Sequence, residues 1–70
     1  MTTDDLIQIV SAGAGLSIDA ETTSQEALLQ IMAAAVQADT TLRLRNAGGK
    51  NIEELLELAR QGRESIHFEL

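Results

Sequence analysis

Apolar and polar residues recur along this chain with two different periods, and the period in force marks each element. Leu6, Ile9, Val10 and Gly13 share one face at helical spacing, with Ile7 beside them and Gln8 and Ser11 pointing away. Thr3 stands where a cap is needed. Asp4 and Asp5 fill the first turn, where carboxylates meet the positive end of the helix dipole. Gly13 and Gly15 predict the stop, one of them in the left-handed conformation that glycine adopts at low cost. Leu16-Ser17-Ile18 alternates over three residues only, which favours an extended loop over a very short strand.

Thr23 and Glu26 have the spacing of a capping box, with Ser24 as the competing cap. The helix they open runs to about Ala38. Its apolar positions, Ala27, Leu28, Leu29, Ile31 to Val36 and Ala38, leave almost no polar stripe. Such a helix has to be covered on most sides, which makes it the central element.

The period then changes. Thr41-Leu42-Arg43-Leu44-Arg45 alternates as a strand does, with Leu42 and Leu44 inward. Asn46 to Lys50 is the turn. Asn51 with Glu54 forms another capping box, and Ile52, Leu55, Leu56 and Ala59 trace the apolar stripe of a third helix that stops at Gly62. Ser65 to Leu70 alternates again, with Ile66, Phe68 and Leu70 inward and His67 and Glu69 outward. The order is helix–helix–strand–helix–strand. It predicts a small two-layer α+β fold whose C-terminal parallel β-α-β unit carries the helices on one face of the sheet. Residues 1–70 read as one small domain, 1–39 an acidic two-helix part and 40–70 the strand–helix–strand part. No internal repeat shows at this length.

A sheet of two strands leaves both edges open, and two-stranded units are marginal by themselves. Below roughly 70–80 residues a single core seldom supplies more than about 3–5 kcal/mol. The chain has no Cys for a disulfide and a single His, so metal ligands are scarce. Oligomerisation is the remaining common device. The open edges and the apolar helix 27–38 both offer surfaces for it, and we expect a homodimer.

Composition narrows the function classes. The net charge is −6, and all of it lies in residues 1–39, which hold six acids and no base; residues 40–70 balance five acids with five bases. An acidic chain whose only aromatic residue is Phe68 lacks the basic face and stacking platforms of a nucleic-acid binder. The N-terminal Met1 to Asp5 is acidic where a secretory signal is basic. The longest apolar stretch, Ala27 to Ala38, is too short for a bilayer. The expectation is a cytoplasmic protein with neither membrane nor nucleic acid as partner. In size and acidity the chain is similar to acyl carrier proteins. Their Asp-Ser-Leu attachment motif at a helix start is absent, and two strands do not fit a four-helix bundle.

Two constellations could carry chemistry. Gly48-Gly49-Lys50-Asn51, between a strand and a helix start, has the ingredients of a phosphate site. The phosphate-loop pattern also needs a glycine where Leu44 stands and a Ser or Thr where Asn51 stands. Strand alternation places Arg43, Arg45, His67 and Glu69 on one outward face, where they could hold an acidic ligand. Ser65 and His67 at strand spacing lack the orienting group of a catalytic triad. Gly13-Ala14-Gly15 has Ile18 where a dinucleotide fingerprint needs a third glycine, and the acids lack calcium-loop spacing. No catalytic residue, metal or cofactor is assigned. The leading expectation is a non-enzymatic, self-associating interaction or structural module. The alternatives are an acidic inhibitor or immunity-type protein for a basic partner, and an anion or small-molecule binding domain using Gly48–Asn51.

Overall fold

The computed structural model describes every residue from Met1 to Leu70. Three helices, α1 (Thr3–Ser11), α2 (Gln25–Gln37) and α3 (Ile52–Gly62), alternate with three strands, β1 (Leu16–Asp19), β2 (Leu42–Arg45) and β3 (Ile66–Phe68). Short 3₁₀ turns at Ala47–Gly49 and Arg63–Ser65 lead into α3 and β3. The expected α+β class and the parallel β-α-β unit are present. The segment expected to be a loop, Leu16-Ser17-Ile18, is instead a strand. It is too short to announce itself by alternation, and its pairing with β2 supplies what its length does not.

The three strands form one parallel sheet in the order β1-β2-β3. Leu16 pairs with Leu42 and Leu42 with Ile66, so each strand repeats the last after 26 and then 24 residues. The helix ends follow the same spacing. Gly13, Asp39 and Arg63 each take a positive φ (102°, 55° and 50°) three residues before their strand begins. Thus the chain is three successive helix–strand units. The repeat missed in the sequence is carried by Leu6-Ile7-Gln8-Ile9-Val10, Leu28-Leu29-Gln30-Ile31-Met32 and Leu55-Leu56-Glu57-Leu58-Ala59. Helices of 9, 13 and 11 residues put these motifs out of phase with the strands, which hides the period.

Capping fixes where the helices start. Asn51 accepts from the Glu54 amide at 2.9 Å and completes the expected box. The other two caps lie one residue from their expected places. Thr2, not Thr3, caps α1 in a box with Asp5, and Ser24, not Thr23, accepts from the Ala27 amide. In each pair two adjacent residues carry a hydroxyl, and the extended backbone conformation at Thr2 and Ser24 decides between them. At the end of α2 the Thr40 amide donates to the Ala35 carbonyl and the Asp39 amide to that of Val36, a Schellman closure around a left-handed Asp39.

The core lies between the sheet and α2. Leu28, Ile31, Met32 and Ala35 of α2 meet Leu42 and Leu44 of β2, all fully buried, with Val10 and Leu58 from the flanking helices. α2 packs against both α1 and α3, so the nearly all-apolar helix is largely covered, and of its large apolar side chains only Val36 is exposed. It does not form the free surface expected of it. No helix is long and apolar enough to cross a membrane.

α3 departs from its predicted stripe. Leu58 is its fully buried side chain, whereas Ile52 is 66% and Leu56 40% exposed. Leu70, expected inward, is 84% exposed, because β3 ends at Phe68. Gly62 is the last helical residue with an ordinary φ, and the positive φ falls on Arg63. Gly62 is needed for closeness. A Cβ there would stand 2.5 Å from Met32 Sδ and 3.0 Å from Ile66.

Candidate functional site

The helices occupy one face of the sheet and leave the other to side chains of alternate residues. Ser17 and Asp19 of β1, Arg43 and Arg45 of β2, and His67 of β3 with Glu69 just beyond it share this outward face, as strand alternation predicts. Register places Ser17 beside Arg43 and Arg43 beside His67, with Asp19 beside Arg45. The Arg43 guanidinium meets the Glu69 carboxylate at 3.4 Å, both side chains about half exposed. Such a solvated pair contributes about 0–1 kcal/mol. A shallow concavity of about 550 Å³ runs over the face between Gly15, Ser17, Thr41, Arg43, Arg45 and Glu69. His67 lies outside it.

The ionisation of Asp19, on this face, is displaced. The Glu21 amide donates to Asp19 Oδ1 at 2.9 Å. That bond, then the Asn46 side chain, hold its carboxyl below the ordinary 3.8; desolvation opposes them, and the Arg45 guanidinium adds the smallest contribution. Asp19 therefore serves the turn that follows β1. Sequence reading passed over it because the segment read as a loop.

Ser65 sits in the turn before β3, and neither Ser65 nor His67 takes part in the side-chain hydrogen bonds. No group of three or more His, Asp or Glu side chains comes together as metal ligands would.

The Gly48–Asn51 loop is already engaged with the protein. Ala47 donates to the Glu69 carbonyl and Lys50 to the Ala47 carbonyl. A Cβ on Gly48 would approach the Leu70 carbonyl oxygen at 3.0 Å. Asn51 spends its side chain on the Glu54 amide, and its own amide donates to Glu54 Oε1. The hollow beside this helix start is lined by Asn51, Glu53, Glu54, Glu57 and Arg60, three acids to one base. The hollow is net acidic, Gly48 packs closely on Leu70, and Asn51 spends its side chain as the α3 cap.

A third surface joins an open strand edge, expected from the sequence, to a side of α3 that was not singled out there. α2 meets α3 through Gln25, whose amide nitrogen donates to the Glu54 carbonyl and Glu57 Oε1, both at 3.1 Å. Gln61 returns the contact to the Leu29 carbonyl at 3.3 Å. At about 100° per residue, Ile52, Leu56 and Ala59 fall on the opposite side of α3, turned away from α2. Within the repeat they stand where Gln25, Leu29 and Met32 stand in α2, and those are the α2 residues that face α3. So α3 carries, exposed, the side through which its predecessor packs on a neighbour. Beside it β3 is paired on one edge only. The signal was present in the sequence as the stripe Ile52, Leu55, Leu56, Ala59, but periodicity alone does not say which neighbour a stripe faces.

No protein-family model matches the chain, and no curated protein or solved structure matches it.

Proposed function

We propose that this protein is a non-enzymatic protein–protein interaction module that self-associates. The observation that carries the reading is the outer side of the third unit, where the free edge of β3 lies next to the exposed Ile52 and Leu56 of α3. A free strand edge offers unpaired main-chain donors and acceptors, and an adjacent apolar helix side adds the desolvation that makes pairing favourable. The chain is also small enough that added burial matters, with 12 of its 70 residues buried. The polar sheet face, with one exposed ion pair, supports a solvated surface better than a reaction centre.

Sedimentation equilibrium over a wide dilution series tests this. The expected result is a mass that rises above 7.5 kDa with concentration. A 7.5 kDa species at every concentration overturns self-association.

A further inference from the structure

We infer that two copies of the chain join through their third units about a two-fold axis, β3 pairing antiparallel with the partner copy's β3 and the two α3 helices packing together. This rests on the self-association reading above and specifies its geometry. Glu69 turns its amide to the Leu44 carbonyl and its carbonyl to the Ala47 amide, both toward β2. Two-residue alternation therefore leaves the amides and carbonyls of Ile66 and Phe68 on the free edge. An antiparallel pair centred on His67 sets Ile66 against Phe68 of the partner subunit, and Phe68 against Ile66 of the partner subunit. All four free groups on each edge are then paired. The same symmetry brings the Ile52, Leu56 and Ala59 side of α3 onto its own copy, apolar against apolar.

Charge selects this arrangement over head-to-tail stacking. The whole −6 lies in residues 1–39, while residues 40–70 are neutral. A two-fold contact through α3 and β3 joins the neutral halves and holds the acidic halves at opposite ends. Stacking β3 on the partner's β1 in the register already used would set Glu69 beside Asp19 of the partner subunit, and like charges opposed across strands are destabilising. It would also lay the side of α1 that carries Asp5 on the apolar side of α3. The two-fold product is a closed dimer with one six-stranded sheet, antiparallel only at its centre.

Cysteine cross-linking distinguishes the geometries, since the chain has no Cys of its own. In the two-fold pair the His67 Cα atoms face each other at a non-hydrogen-bonded position about 4.5 Å apart. That lies within the roughly 4.4–6.8 Å a disulfide spans. Oxidised His67→Cys should run as a covalent species of twice 7.5 kDa, and Ser17→Cys on β1 should not. The double variant Ile52→Glu, Leu56→Glu changes exposed side chains, so its circular dichroism should be that of the native fold while its dimer dissociation constant rises at least about tenfold. Gln8→Glu, on the exposed side of α1, should leave that constant unchanged. Cross-linking only in a mixture of His67→Cys with Ser17→Cys, or masses growing beyond a dimer, overturns the two-fold geometry and leaves self-association standing. A monomer at every concentration overturns both.

Discussion

Single residues show how local chemistry is bent to the repeat. Gly62 looks like a helix stop in the sequence, yet its backbone is ordinary and the left-handed step falls on Arg63. What the position requires is the absence of a Cβ beneath Met32 and Ile66, a fact of tertiary packing. We predict that Gly62→Ala lowers stability by about 1–3 kcal/mol, the usual cost of overfilling a packed site, measured by urea unfolding. An unchanged midpoint would mean that Met32 moves aside freely. Asp19 gives a pH prediction. Its carboxyl is held below 3.8, first by the Glu21 amide, so the fold favours the ionised form. The stabilisation is fully present above 3.8 and is lost as pH falls through the lower folded value. Asp19→Asn should therefore lower stability at neutral pH and flatten the acid limb of the stability curve, the variant and wild type converging at low pH. An acid limb identical to wild type contradicts this role. The caps were nearly legible: hydroxyl residues stood at the right places, and only backbone conformation chose Thr2 and Ser24.

At the scale of elements, all three helices and two of the three strands follow from periodicity. β1 was lost because four residues give too little alternation to outweigh a loop. Its partner, 26 residues away, is what makes it a strand. α3 was found, but its orientation was not. The stripe at Ile52, Leu55, Leu56 and Ala59 looks like a core face, whereas the side chain that reaches the core is Leu58. Periodicity reports that a face is apolar and is silent on whether the sheet, a neighbouring helix or another molecule meets it. We predict that Leu58→Ala costs about 2–5 kcal/mol, as truncation of a fully buried leucine does. Leu56→Ala should cost less than about 1 kcal/mol in dilute solution, because its side chain is partly in water already. Thermal or chemical denaturation of the two variants at low protein concentration compares them. Equal losses would show that Leu56 is buried within a single chain.

Over the whole molecule, three helix–strand units share one core, and their charge is divided along the row. The first half carries all the net charge and the second none, so the ends of the row are unlike: an acidic α1 end, and a neutral α3 end with an exposed apolar helix side. The expected self-association was read from size and open edges, with α2 as one of its surfaces. α2 is in fact largely covered, and the exposed side belongs to α3, in the position that faces a neighbour elsewhere in the repeat. That shift was not legible from composition, because it depends on which helix the units place at the end. The most direct test is amide hydrogen exchange on wild-type protein at low and high concentration. Protection at Ile66 and Phe68 should rise with concentration while Ser17 and Asp19, on the free edge of β1, stay unprotected throughout. Exchange at Ile66 and Phe68 that is independent of concentration, or protection that rises at Ser17 and Asp19 instead, would contradict an interface on the third unit.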